Sequence, residues 1–196
     1  MRIIAGTHRS RVILPPPNSD TTRPITDRVK QALFDRLITL EAFGGNALDI
    51  FAGTGSLGLE VLSRETDHCV FVERDRRTRT VLERNVTEMG FDDRATVLGV
   101  DACSTAWLSL LPRRPIRLVF LDPPYAMLTE PRDVDRLREL FKAILPVMEE
   151  SGTLVLRTQE FTEIPTHEGW DGPVTYKYGS MNVSFYTKPA AASAEG

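Results

Sequence analysis

The 196-residue chain is 41% hydrophobic and 26% charged, with a net charge of −3, the composition of one globular domain that buries roughly 70% of its unfolded-chain surface and can hold a full sheet. No apolar run nears the ~20 residues of a membrane span, and residues 1–6 are too short in apolar content for a signal peptide, so a cytoplasmic protein with no membrane partner is expected. Cys69, Cys103, His8, His68 and His167 are scattered without paired metal-ligand spacing, which predicts buried thiols and no metal site.

The charge is unevenly spread. Residues 1–36 carry seven cations against three acids, a net of +4, which leaves −7 on the other 160. Gly6-Thr7-His8-Arg9-Ser10-Arg11 reads as a turn between short apolar strands at 2–5 and 12–14. A basic hairpin on an acidic body suits nucleic-acid phosphates, with Arg2, Arg9, Arg11 and the later Arg23 as candidate contacts. A solvated turn with ordinary surface arginines is the competing reading. Pro15-Pro16-Pro17-Asn18-Ser19-Asp20 is a stiff polar spacer. It divides an appendage at 1–20 from a main domain at 21–189, and 190–196 is a small polar tail with the composition of a disordered end.

After the spacer, Thr26 is placed to cap a helix whose apolar face runs Val29, Leu33, Leu37 and Leu40, ended by Gly44-Gly45. From there strand-like segments at 46–51, 68–73, 95–100, 117–121 and 153–157 alternate with helical stretches at 57–64, 75–89, 102–111 and 133–148. That rhythm predicts an α/β fold, a parallel sheet with helices on both faces. The segments 174–178 and 183–186, flanking Gly179-Ser180-Met181-Asn182, read as a closing antiparallel hairpin.

The stretch Leu48-Asp49-Ile50-Phe51-Ala52-Gly53-Thr54-Gly55-Ser56-Leu57-Gly58 is a strand running into a glycine loop and a helix. Gly53 and Gly55 allow a tight turn close to a ligand, and Gly58 lets the helix approach the strand. The G-x-G-x-x-G spacing with Glu73 at the end of the next strand fits a nicotinamide dinucleotide or S-adenosylmethionine, since either offers ribose hydroxyls to Glu73. Asp49, just before the loop, opposes a pyrophosphate but suits a cationic sulfonium. Asp101, followed by Ala102, ends the third strand, where it can accept from an adenine amine. With Phe51 in the loop, these form the candidate cofactor set.

Asp122-Pro123-Pro124-Tyr125 follows the apolar run 118–121, which places it at the C-terminal end of a buried strand, where open α/β sheets hold their sites. Asp122 and the Pro123 carbonyl, held extended by Pro124, can both accept from one amino group. Tyr125 can stack on the ring that bears it. Two acceptors draw the nitrogen out of conjugation and aim its lone pair at an electrophile, for which a methyl sulfonium is the natural choice. On the tetrapeptide alone, a strand followed by a plain Pro-Pro turn is the alternative.

Taken together, residues 1–6, Arg23-Pro24, Thr26-Asp27-Arg28-Val29, Ala32-Leu33-Phe34, the stretch 48–64, Asp122-Pro123-Pro124-Tyr125 and Tyr178-Gly179 resemble the RsmD-type bacterial guanine-N2 methyltransferases of 16S ribosomal RNA. The resemblance implies a seven-stranded class I methyltransferase sheet with an N-terminal hairpin and S-adenosylmethionine as donor. It also implies ribosomal RNA as partner, in a 30S subunit or an assembly intermediate, and a monomer is expected. By the same resemblance Gly53 and Gly55 meet the donor's methionine end, Glu73 its ribose and Asp101 its adenine, while 122–125 take the base. Three positions depart from the family: Ser10 and Glu65 stand where glycine is usual, and Thr54 where serine is common. Adenine-N6 and protein-glutamine methyltransferases share the chemistry; a nicotinamide-dependent oxidoreductase and an inert RNA-binding module are the alternatives from other classes.

Overall fold

The computed structural model describes residues 1–16, 25–163 and 165–190. The spacer from Pro17 onward, Arg23 and the tail 191–196 lie outside them. Seven strands form one sheet in the order β3-β2-β1-β4-β5-β7-β6. β1 (Asn46–Ile50), β2 (His68–Val72), β3 (Ala95–Leu98), β4 (Ile116–Leu121) and β5 (Met148–Gln159) are parallel. β7 (Met181–Thr187) runs antiparallel to β5, and β6 (Asp171–Tyr178) closes the edge. This is the class I methyltransferase sheet.

The strands read as continuous apolar runs because both faces are covered. Ala47, Phe71, Leu118 and Phe120 pack beneath α1 (Asp27–Thr39), α2 (Gly58–Ser63) and α3 (Arg76–Glu88). Leu48, Ile50, Val70, Val119 and Leu121 face the other way, toward Trp107, Leu108 and the buried side of α4 (Pro131–Ile144). Two expected helices differ in detail. α1 is capped as expected by the Thr26 hydroxyl, which accepts from Val29 N, but it ends before the double glycine, with Glu41 in the left-handed region at φ 51°. The stretch 102–111 yields only a 3-10 segment, Thr105–Leu110. The Trp107 indole donates to the Ala102 carbonyl, and the adjacent Trp107 and Leu108 are both buried, an arrangement that holds the chain in a tight turn rather than a full helix.

The N-terminal hairpin forms as expected, with Arg2 bridged to Val12, but it is not an appendage. Ile3 and Ile13 are fully buried in the α1–α3 core. Gly6, at φ 82°, lies so near the end of α2 that a Cβ would stand 1.9 Å from the Ser63 carbonyl oxygen. At the centre of this contact is Glu60 of α2. One carboxylate oxygen accepts from Lys30 Nζ at 2.8 Å and Ile4 N at 2.9 Å. The other accepts from Arg64 Nε at 3.1 Å and Ala5 N at 3.0 Å. Lys30 and Glu60 are 1% and 0% exposed, and the Lys30 ammonium also donates to the Arg2 carbonyl.

α1 and α2 end alike. After α2, Thr66 N donates to Val61 O and Glu65 N to Leu62 O, which puts Glu65 in the left-handed position at φ 68°. After α1, Ala42 N donates to Leu37 O and Glu41 N to Ile38 O. Both are helix ends that glycine serves best. Glu41→Gly and Glu65→Gly should each raise the unfolding free energy by about 0.5–1 kcal/mol, the relief of left-handed strain less the added freedom of the unfolded chain. Urea midpoints of the two single variants check this, and a fall in either contradicts it.

Candidate active site

The strand order turns back between β1 and β4, and the crevice at that switch point lies beyond their C-terminal ends. There the chain forms a cavity of about 1000 Å³ whose wall includes Asp49, Phe51, Gly53, Glu73, Asp101, Ala102, Asp122, Pro123, Tyr125 and Arg157. Met1 and Pro16 also line it, so the hairpin borders the mouth.

The glycine loop is built by its acids. Gly53 and Gly55 have φ of 57° and 87°, and Phe51, without that freedom, has 62°. Glu73 holds the loop by accepting from Gly53 N at 2.9 Å through one oxygen and from Asp75 N at 2.8 Å through the other. Asp49 accepts from Gly58 N at 2.8 Å, at the start of α2. Gly58 is there for space: a Cβ would lie 2.2 Å from the Phe71 ring and 2.9 Å from the Asp49 carboxylate. Ser56 Oγ is buried without a hydrogen-bond partner.

These acids crowd one another. Burial pushes the Asp49 carboxyl up to about 7, with the Gly58 N–H pulling it down and the charges of Asp122 and Glu73 adding to the rise. Burial likewise raises Glu73 against the pull of its two backbone N–H partners. Asp101 goes the other way: burial works against its ionised form, but the Cys103 N–H and the Arg136 guanidinium, 2.7 Å from its carboxylate, hold it below the usual range. Arg136 of α4 was not visible in the sequence as part of the site.

Asp122 stands just beyond β4, its N–H bonded to the Ile50 carbonyl. Arg157 of β5 holds its carboxylate with two bonds, Nε to Oδ1 at 2.7 Å and Nη2 to Oδ2 at 2.6 Å. The side chains of Arg157 and Asp122 are 12% and 19% exposed. Burial raises the Asp122 carboxyl and Arg157 opposes the rise. Pro123 is buried, Pro124 is extended at φ −52°, ψ 136°, and the half-buried Tyr125 opens a 3-10 turn against the cavity.

Six of the seven cofactor candidates and all three catalytic candidates therefore line one cavity; Gly55 shapes the same loop but is not in the wall, and a Cβ there would meet Leu82 and Leu59 instead. The arginines do not form a single set. Arg9 and Arg11 are exposed on the hairpin turn, whereas Arg2 is engaged with Asp27 at 2.7 Å. Arg23 is outside the described residues. Arg157, like Arg136, is a cavity residue that the sequence hid, since an arginine in an apolar strand has no local pattern.

A family model described as Conserved hypothetical protein 95 matches residues 1–187. YlbH of Bacillus subtilis (strain 168) is 33% identical over 192 residues, 96% of this chain and 99% of that protein. Ribosomal RNA small subunit methyltransferase D of Escherichia coli (strain K12) is 32% identical over 171 residues, 86% of this chain and 77% of its own. The chain belongs to the RsmD-type family. The solved structure of yhhF from Escherichia coli agrees, with a TM-score of 0.76 at 28% identity, over 97% of this chain and 98% of that one. The chain is thus a methyltransferase, which implies a methyl donor.

The high Asp49 carboxyl has a consequence for stability. With its folded value at about 7 against an ordinary 3.8, the folded state binds the extra proton, so this group's contribution falls as pH rises from about 4 to about 7. Asp49→Asn keeps an acceptor for Gly58 and removes that loss. Compared with wild type, it should gain about 2–4 kcal/mol in unfolding free energy between about pH 4.5 and pH 8. Denaturant titrations at the two pH values measure the difference, and a constant difference contradicts the assignment.

Proposed function

We propose that this RsmD-type protein transfers a methyl group from S-adenosylmethionine to the exocyclic N2 amino group of a guanine in small-subunit ribosomal RNA. The observation that carries the reading is that Asp122, Pro123 and Tyr125 face the same cavity as the glycine loop and its acids. A donor and a flat amino-bearing ring can therefore meet there.

The cavity fits the donor. Its cationic end finds Asp49 and the unpartnered Ser56 hydroxyl, its ribose Glu73, and its adenine Asp101 and Ala102. Glu73 has spent one lone pair per oxygen, on Gly53 N and on Asp75 N, leaving one on each for a hydroxyl. Bound there, S-adenosylmethionine supplies an electrophilic methyl group on a positively charged sulfur.

The target guanine must leave its stack, which costs a few kcal/mol, and Tyr125 offsets part of this by stacking. Asp122 and the Pro123 carbonyl then accept from the amino group and orient its lone pair. Catalysis rests on that placement. As the N–C bond forms and the C–S bond breaks, the amine becomes acidic, and the raised Asp122 carboxyl is suited to take the proton. Arg157 keeps the carboxylate ionised beforehand and fixes its plane. On the hairpin turn, the exposed Arg9 and Arg11 are proposed phosphate contacts.

The direct test is labelled methyl transfer to ribosomal RNA and 30S particles from a strain lacking this gene, with the modified nucleoside mapped. N2-methylguanine in small-subunit RNA supports the reading; N6-methyladenine or label in protein overturns it. In the same assay Asp122→Ala should lower turnover at least about 100-fold with donor affinity kept. Tyr125→Phe should be mild and Tyr125→Ala severe, because the stacking face is what counts.

Donor binding should also move a proton. A cationic ligand favours the Asp49 carboxylate, so near neutral pH binding releases a proton, and affinity rises with pH up to about 7. Calorimetry with S-adenosylmethionine in buffers of different ionisation enthalpy measures the release. Asp49→Asn should abolish it; an unchanged release moves the titrating group elsewhere.

A further inference from the structure

Beyond β5 the chain makes a sharp turn, with Thr162 N donating to Gln159 O. Its third residue is Phe161, at φ 66° and 94% exposed. That position requires positive φ and favours glycine. A large aromatic there is costly twice over, in backbone strain and in exposed apolar surface, and a strained residue held in the open is a mark of function.

The turn is held firmly. Glu160 N donates to Ser180 O across the β6–β7 turn at 2.8 Å, and Lys177 pairs with Glu160. The Lys177 ammonium also lies 5.9 Å from the centre of the Phe161 ring. Phe161 is thus flanked in the chain by the polar Glu160 and Thr162 and has the Lys177 ammonium near its ring, an exposed aromatic post with a cation beside it. An apolar protein interface needs a broader patch. A ring plus a cation suits a nucleobase and its phosphate.

Its place is equally telling. Phe161 follows Arg157, the residue that grips Asp122, by four positions. At about 3.3 Å per residue, that sets it about 13 Å beyond Arg157 along the strand direction, past the C-terminal end of β5, the sheet edge at which the cavity also lies. We propose that Phe161 is a stacking platform for an unpaired RNA base flanking the target guanine, with Lys177 at the adjoining phosphate. This rests on the RNA reading above. It also gives a role to the 178–179 turn, which braces the platform through Ser180.

The test compares Phe161 variants on two substrates from a strain lacking this gene: 30S particles and extracted small-subunit RNA. Phe161→Ala should raise the KM for both by about fivefold to a hundredfold while kcat and affinity for S-adenosylhomocysteine stay unchanged. Phe161→Trp should restore KM, and its fluorescence should be quenched on adding RNA; Phe161→Leu should not restore it. Phe161→Gly should increase stability while weakening RNA use, which an ordinary structural residue does not do. If wild type methylates RNA and Phe161→Ala keeps the wild-type KM, this inference is overturned alone. A loss confined to 30S particles points to a protein contact and overturns it as well. Wild type that methylates no RNA removes the substrate reading and this inference together.

Discussion

The structure depends on the Glu60 carboxylate, buried on the short helix that follows the glycine loop. Four donors meet it: the Lys30 ammonium, the Arg64 guanidinium and the backbone N–H groups of Ile4 and Ala5. A buried ion pair by itself is weak evidence for stability, because desolvation cancels most of the attraction. Here the geometry satisfies both oxygens, and what the node contributes is placement. It brings α1, α2 and the hairpin to one point, and α2 in turn sets the angle at which the donor loop leaves β1. Asn85 makes a second tie: its amide exchanges bonds with Leu14 and also donates to Thr54 of the loop. Hairpin and glycine loop are therefore tied together through α3.

The site on the other side of that helix concentrates acids where the chain cannot solvate them well. Asp49, Glu73 and Asp122 each carry a carboxyl raised by burial. The backbone N–H groups and Arg157 offset only part of this, an electrostatic cost that a cationic ligand would relieve. The acids do structural work too. Asp49 and Glu73 hold the loop that would cradle the donor, which binds fold and affinity to the same side chains. Arg157 orients Asp122 and opposes the rise of its carboxyl, while Arg136 orients Asp101 and helps to hold it below the usual range.

Much of this was legible in the sequence because its signals are local. The strand-end acids announce themselves as a charge after each apolar run, and the Asp-Pro-Pro-Tyr tetrapeptide carries its own geometry. Even the departures from family pattern were informative: Ser10 and Glu65, standing where glycine is usual, both have positive φ, 71° and 68°. What stayed hidden is long-range. Nothing near the hairpin shows that its backbone N–H groups find Glu60, Ser63 and Asn85, more than fifty residues further on, so a basic hairpin before three prolines reads as a detached arm. Lys30 interrupts the α1 apolar stripe and Glu60 sits inside an apolar helix, two misplaced charges whose common explanation is their pairing. Arg157 has the same character, a charge inside a buried strand that needed a partner.

The central claim is that one cavity brings a donor's methyl group up to Asp122 and Tyr125. A crystal structure with S-adenosylhomocysteine measures this most directly. The account predicts ribose hydroxyls on Glu73, adenine beside Asp101 and Ala102, and the sulfur directed toward the open space before Asp122. A ligand seated outside the cavity, or one whose sulfur faces away from Asp122, would contradict it.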